Sequence, residues 1–386
     1  MAIIQSLLDT DLYKLTMMQA VLHQFPGTQV EYEFKCRNKG TNWTPDMTFE
    51  LYQEVDSLCS LKFQEAELEY LSSLRFLKPD FIEFLRIFQL DSRYLDISIF
   101  GGDLKITIKG PWLHTILFEV PLLAIINEIY FKFHGVDSMD VGMQKLKDKI
   151  CLLETDVAPT FKITDFGTRR RYSAEWQAEV VRQLATFRPN NFIGTSNVML
   201  AKQYGIKPIG TMAHEWLQAG QALTKVKESQ KFMFQKWADE YRGDLGIALS
   251  DVVGVDAFIR DFDMYFCKLF DGCRHDSGDP IEWVEKIIAM YERHGIDPKT
   301  KIAVFSDGLT LDKAIAISGR VNGRIKTTFG IGTNLTNDVG VDPLNIVIKM
   351  TKCNGQPVAK ISDSPGKCMC EDPEYLKYLR DQTEVI

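Results

Sequence analysis

The stretch Ile209-Gly210-Thr211-Met212-Ala213-His214-Glu215-Trp216 is a short apolar run that ends in a histidine followed at once by a glutamate. Upstream, Asn191-Phe192-Ile193-Gly194-Thr195-Ser196 closes in small polar residues. Downstream, Leu245-Gly246-Ile247-Ala248-Leu249-Ser250-Asp251 closes in an acid. The pattern of a buried-strand run with polar residues at its carboxyl end recurs along the chain, and in parallel sheets that edge is where ligands sit. Eight runs are expected as strands: 162–165, 192–195, 208–212, 245–250, 269–274, 302–306, 325–330 and 344–350. Helical segments such as 196–204, 280–294 and 311–318 lie between them. Alternating β and α elements imply a parallel sheet. The expected fold is α/β: an irregular (β/α)8-like barrel, with an open doubly wound sheet as the competing arrangement.

The chain ahead of this region has a different rhythm. Asp9-Thr10-Asp11 offers N-caps for a helix to about residue 24, with Tyr13 and Lys14 in its first turn and Pro26-Gly27 ending it. Residues 29–37 alternate, with Val30, Tyr32, Phe34 and Cys36 on one face and Glu31, Glu33, Lys35 and Arg37 on the other, which predicts a half-buried strand. Residues 45–90 are helical in pattern, and 95–108 give two short strands around Gly101-Gly102. Residues 1–110 are therefore expected as an N-terminal α+β domain and 111–352 as the barrel. The turn-rich tail 353–386 is expected to pack back on the first domain and complete it.

Composition narrows the function classes. Of 386 residues, 45% are hydrophobic and 25% charged, ordinary for a soluble globular protein. A formal charge of -7 argues against a broad nucleic-acid surface and leaves room for a local basic pocket. The N-terminus shows no basic region followed by an apolar core, so a cytoplasmic location is expected. The most apolar stretch, 112–131, contains His114, Glu119, Pro121, Asn127 and Glu128, which suit a buried helix and not a membrane span. The eight cysteines include no C-x-x-C pair; Cys368-Met369-Cys370 is the one close pair, and reduced thiols are expected.

Chemistry collects at the strand ends. Phe166-Gly167-Thr168-Arg169-Arg170-Arg171 puts cations where a helix start prefers acids, which points to a bound anion. Gly194-Thr195-Ser196-Asn197 precedes a helix, and Ser196 is either its cap or a ligand contact. His214-Glu215 lacks the second histidine of a zinc peptidase, since residue 218 is Gln218. Arg274-His275-Asp276-Ser277-Gly278-Asp279-Pro280 holds more charge than capping needs. Ser306-Asp307-Gly308 suits ribose hydroxyls or hydrated Mg²⁺, and the glycines of Phe329-Gly330-Ile331-Gly332-Thr333-Asn334 suit a phosphate.

Taken in order, these segments resemble the nicotinate phosphoribosyltransferases of bacteria and fungi. The resemblance runs along nearly the whole chain. It also includes Asp9-Thr10-Asp11-Leu12-Tyr13-Lys14, Ala213-His214-Glu215-Trp216, Pro343-Leu344-Asn345-Ile346-Val347-Ile348-Lys349 and Ser362-Asp363-Ser364-Pro365-Gly366-Lys367. It implies that nicotinate, phosphoribosyl pyrophosphate and ATP give nicotinate mononucleotide, pyrophosphate, ADP and phosphate, the first step of NAD synthesis from nicotinate. It implies a homodimer, Mg²⁺ on the phosphorylated substrates, and a histidine matching His214 that ATP phosphorylates transiently. Carried over by position, Tyr13 and Phe166 sandwich the pyridine ring, with Tyr13 from the other subunit. Arg169 and Arg274 face the substrate carboxylate or ribose phosphates, and Arg37 reaches the diphosphate across the dimer. Asp307 holds ribose hydroxyls, Gly330 and Gly332 hold the 5′-phosphate, and Thr333 is a further substrate-binding residue. Asp251 and Asp276 are the expected carboxylates behind His214, with Glu215 a third. Relatives that use nicotinamide carry an acid at the position of Ser196, so serine favours nicotinate. Competing readings are a nicotinamide or quinolinate phosphoribosyltransferase, a phosphosugar lyase or isomerase on a barrel, and a binding protein without catalysis.

Overall fold

Short runs of branched and small residues make the strands, and polar residues end them. The computed structural model describes residues 2–135, 139–155, 157–364, 370 and 372–384; Pro365-Gly366-Lys367 and Cys368-Met369 fall outside them. The chain forms two compact units, each assembled from separate stretches: Met1–Gly27, Tyr32–Gly210 and Ile331–Ile348 in the first, and Thr28–Glu31, Thr211–Gly330 and Lys349–Ile386 in the second.

β1 (Gln29–Cys36) buries Val30 and Tyr32, while Phe34 and Cys36 are half-buried. In the first unit, β2 (Leu95–Phe100) and β3 (Asp103–Pro111) form an antiparallel hairpin from Leu95↔Ile108 to Phe100↔Asp103. Gly101 and Gly102 turn it with φ of 61° and 84°, the left-handed region that glycine reaches without a Cβ penalty. β4 (Ile163–Asp165) and β5 (Phe192–Thr195) run parallel, with Asp165 opposite Thr195. The helix Ala174–Phe187 connects them, and the Ser173 side chain caps it by accepting from the Trp176 amide. The helix Glu119–Phe133 is buried along most of its length, as expected for the apolar stretch. Among the described residues no helix is long and apolar enough to cross a membrane.

In the second unit β6 (Ile247–Leu249), β7 (Gly272–His275), β8 (Ile302–Phe305) and all of β9 (Lys326–Ile331) but its last residue lie side by side, all parallel. The register aligns Leu249, Arg274, Val304 and Thr328. The residues after β6, β7 and β8, Asp251, Asp276 and Asp307, thus leave the strands at the same edge. β10 (Ile346–Cys353) and β11 (Gln356–Pro357) pair antiparallel through an Asn354-Gly355 turn with φ of 48° and 77°.

The α/β class holds, and the strand inventory needs correction. Residues 208–212 form no strand: Thr195 bridges Pro208 alone, and Gly210 packs on Leu12, 3.2 Å from where a Cβ would sit. Residues 344–350 enter β10, an antiparallel strand. Six parallel strands remain, and no closed ring of eight is found among the described residues. Nor does a unit boundary fall at residue 110. Lys14 Nζ lies 2.5 Å from Glu119 and Lys132 2.6 Å from Glu50, tying both sides of that position into the first unit. The described tail belongs with 211–330. Gln221 donates to the Ala359 carbonyl at 2.8 Å, Tyr375 donates to Gln221 at 2.9 Å, and Arg260 donates to the Thr383 carbonyl at 3.1 Å.

Candidate functional site

His214 is the first residue of the helix His214–Leu223, not the last of a strand. Its N-cap, Ala213, has no polar side chain to cap with, so the positive end of the helix is left to other partners. Glu215, in the next helical position, is buried. Two carboxylates from neighbouring strand ends meet one nitrogen of the ring: Asp251 Oδ1 is 2.9 Å and Asp276 Oδ2 3.4 Å from His214 Nε2. Both expected partners are therefore present, on the same nitrogen.

A residue that the sequence did not single out completes the cluster. Lys360 Nζ lies 2.8 Å from His214 Nε2, 2.5 Å from Asp251 Oδ2 and 3.9 Å from Asp276 Oδ2, with its side chain only 5% exposed. Ser277 donates to Asp251 at 2.6 Å and Ser306 to Asp276 at 2.8 Å. Arg274 lies 3.4 Å from Asp276 and donates to Thr211. The charges act on one another. Burial, then Lys360, pushes the His214 imidazole below its ordinary value, against the pull of Asp251 and Asp276. Burial opposes ionisation of Asp251, but His214 and Lys360 outweigh it and hold the carboxyl well below its usual range. Burial opposes Asp276 as well, and Arg274, His214 and Lys360 bring it to about 2.

His214, Asp251 and Asp276 are the one group among the described residues with ligand atoms close enough for a metal ion. The donor set does not fit one, because the Lys360 ammonium already stands against both Asp251 and His214. A divalent ion there would face a fixed positive charge at contact distance. Asp307 follows β8 and is half-buried, next to Ser306 in the same turn.

The first unit holds a second cluster. Ser196 donates to Asp11 at 2.7 Å, and both are buried. Burial raises the Asp11 carboxyl, with Arg169 and Ser196 opposing. Arg169 and Lys14 share Glu119, at 3.2 and 2.5 Å. Burial opposes ionisation of Glu119 too, but Lys14 and Arg169 hold it below its usual range. Tyr13 lies beside this group, and burial, then Glu119, raises its phenol. Phe166 is half-buried and hydrogen-bonds through its amide to the Ile331 carbonyl at 2.9 Å. The same turn carries Gly332, whose Cβ would stand 3.2 Å from the Phe166 carbonyl oxygen, and Thr333, the start of a one-turn helix. Gly330, at the end of β9, is buried. Arg37 donates its amide to the Asn345 carbonyl at 3.0 Å.

Two expectations change here. Asn197, not Ser196, caps the helix Val198–Tyr204, so Ser196 is left for Asp11. Of the three arginines, Arg171 is fully buried, bidentate to Asp9 at 2.7 and 2.9 Å and 2.8 Å from Glu128, while Arg170 donates to the Ile346 carbonyl at 2.9 Å. Arg169 pairs with Glu119 at 3.2 Å and keeps 43% of its side chain exposed.

Comparisons with known proteins agree with this layout. The model of the nicotinate phosphoribosyltransferase family matches residues 161–385, and the model of that family's N-terminal domain matches residues 8–127. A Xylella fastidiosa protein named nicotinate phosphoribosyltransferase is 58% identical over 383 residues, covering 98% of this chain and 97% of its own length. One from an Acidovorax species is 56% identical over 394 residues, covering 99% of each. The crystal structure of a Vibrio cholerae nicotinate phosphoribosyltransferase superposes with a TM-score of 0.95 at 39% identity, covering 100% of this chain and 95% of that one.

Proposed function

The chain belongs to the nicotinate phosphoribosyltransferase family, and on that premise we propose that it joins nicotinate to phosphoribosyl pyrophosphate, giving nicotinate mononucleotide and pyrophosphate, with ATP hydrolysis coupled through His214. The reaction is the entry of nicotinate into NAD synthesis, in the cytoplasm.

One observation carries the coupling. A largely buried imidazole stands at a helix N-terminus with two carboxylates and an ammonium on one nitrogen, Nε2. The Lys360 ammonium can only donate and is held by Asp251 Oδ2, so Nε2 gives its proton to Asp251 Oδ1 and the neutral ring keeps a lone pair on Nδ1. That pair forms the N–P bond as the bond from the γ-phosphorus to the bridging oxygen breaks and its electrons leave on ADP. Water later attacks the phosphorus, and the N–P electrons return to the ring as phosphate departs. The positive end of the helix favours the incoming phosphoryl group and disfavours an imidazolium.

Phosphoribosyl transfer itself passes through an oxocarbenium-like state, so positioning and charge stabilisation do most of the work. Arg169 meets the nicotinate carboxylate, Tyr13 and Phe166 the pyridine ring, and Ser196 a neighbouring edge. Asp307 takes the ribose hydroxyls. Gly330, Gly332 and Thr333 take the 5′-phosphate, with Arg274 and Arg37 toward the phosphates. Mg²⁺ bound to the substrate diphosphate would offset its charge and make pyrophosphate a better leaving group. The working assembly is a homodimer in which Tyr13 and Arg37 serve the other subunit.

The decisive assay mixes protein, labelled nicotinate, phosphoribosyl pyrophosphate and Mg²⁺, with and without ATP. The mononucleotide forms, ATP accelerates it, and His214→Ala abolishes the acceleration. Absence of product with every combination of co-substrates sinks the transferase reading; acceleration retained in His214→Ala sinks the coupling alone.

A further inference from the structure

The cluster around His214 has a charge count that the expected carboxylates do not explain. Asp251 from the end of β6 and Asp276 from the end of β7 both face Nε2, and two anions at 2.9 and 3.4 Å would by themselves make the ring an imidazolium. An imidazolium has no lone pair and cannot accept a phosphoryl group. Arg274, on β7, offsets Asp276 at 3.4 Å. The remaining negative charge, on Asp251, is met by Lys360 at 2.5 Å. Glu215 is the acid on the helix that carries His214, and Asp363 approaches Asp251 and Lys360 from the tail segment. The inner set of two aspartates, one arginine and one lysine sums to zero, and with it the ring is neutral.

The chain takes trouble to place this lysine. The Ile361 amide donates to the Val252 carbonyl at 2.7 Å, the Asp363 amide to Ser277 at 3.1 Å, and the Gly278 amide to Ser364 at 2.9 Å. Asp363 in turn accepts from the Val255 amide at 3.1 Å. Residues 361–364 are thus fastened to the loops after β6 and β7, the two that supply the aspartates. Ser362 holds a φ of 66°, a strained conformation for a side-chain-bearing residue, which marks a segment whose path is set by its surroundings.

We propose that Lys360 is a positioning residue for phosphoryl transfer: its ammonium cancels the charge of Asp251 and keeps His214 neutral, with Nε2 engaged and Nδ1 presented. This rests on the phosphoryl-acceptor role given to His214 above. It assigns the tail segment a part in the chemistry that a purely structural strap would not have.

The test reads the ring directly. Protein labelled with ¹⁵N-imidazole histidine is titrated by NMR, the His214 signal being assigned by its loss in His214→Asn. In Lys360→Met the His214 midpoint rises by about one pH unit or more, since a like charge has left its side. Lys360→Arg stays near the wild-type value, and Lys360→Met/Asp276→Asn returns toward it because the charge balance is restored. Lys360→Gln serves if the methionine variant does not fold. In parallel, the acid limb of ³²P transfer from γ-labelled ATP moves to higher pH in Lys360→Met. A His214 midpoint equal in wild type and Lys360→Met overturns the proposal. A wild-type protein that takes no label while the midpoint still shifts removes the phosphoryl-acceptor reading and leaves the charge-balance role intact.

Discussion

Ser196 is the hydroxyl on which the proposed preference for nicotinate rests. It donates to Asp11 at 2.7 Å in a buried place where burial already raises the Asp11 carboxyl. An aspartate at 196 would set two carboxyls in contact, and one of them would have to take up a proton. The carboxylate of nicotinate would then meet added negative charge or a rearranged pair. Ser196→Asp is expected to lower kcat/KM for nicotinate by about tenfold or more, roughly 1.4 kcal/mol of transition-state stabilisation. Ser196→Ala should lose less, because it removes a hydrogen bond without adding charge. Steady-state kinetics on both variants, with circular dichroism to confirm folding, decide it; an unchanged kcat/KM in Ser196→Asp would falsify the selectivity argument. The resemblance singled out His214, and the strand-end positions of Asp251 and Asp276 made them the candidate carboxylates beside it. Residue types could not separate Arg169 from Arg171, since three consecutive guanidinium groups look alike; the resemblance picked Arg169, and burial sets Arg171 apart from it. Nor could residue types single out Lys360, since most lysines are solvated and nothing local in the sequence marks one that is buried between two acids.

At the scale of elements, buried parallel strands were legible because each is a short apolar run closed by polar residues, and β4 to β9 all match such runs. The same signal misled at 208–212 and 344–350. A short apolar run packs as readily on a helix, as Gly210 does on Leu12, or into an antiparallel strand, as in β10. What holds the strands in register lies below that pattern. A Cβ on Gly272 would stand 1.9 Å from the Ile302 carbonyl oxygen, a backbone atom that no rotamer change can move aside. Gly272→Ala should therefore push β7 off β8 at a cost of about 1–3 kcal/mol or more. Activity should fall as well, since β7 carries Arg274 and leads into Asp276. Gly319→Ala is the matched control: it lies inside the helix Leu311–Val321 with open space around it, and should stabilise by up to about 1 kcal/mol. Thermal and urea unfolding of the two variants give the comparison; equal midpoints would show that β7 and β8 tolerate separation.

At the scale of the whole molecule, the two units are discontinuous, and contiguity in sequence is a poor guide to what folds together. An expected boundary at residue 110 followed a change of rhythm, but rhythm reports local elements and not which elements share a core. The first unit needs Ile331–Ile348, which arrives after the entire 211–330 stretch. That late piece is bonded into the loop after β4. The Phe166 amide donates to the Ile331 carbonyl at 2.9 Å, the Tyr172 amide to the Thr336 carbonyl at 2.8 Å, and Asn337 to the Arg170 carbonyl at 2.7 Å. Thr336 also donates to the Gly167 carbonyl at 3.0 Å, where a Cβ on Gly167 would collide with its side chain. Without the piece, residues 166–172 lose these partners, and Arg171, clamped between Asp9 and Glu128, loses the frame that aims it. A misplaced guanidinium would leave two buried carboxylates without a counter-charge, at a cost of about 3–5 kcal/mol, a large share of the 5–15 kcal/mol that holds a domain together. A fragment ending at residue 210 should accordingly fail to fold, giving collapsed amide dispersion and no cooperative thermal transition. The full chain should show a cooperative one under the same conditions. A fragment 1–210 with dispersed amide resonances and a sharp melt would mean that the loop after β4 is fixed from within its own stretch of chain, and that the contribution of 331–348 is confined to the glycines it carries.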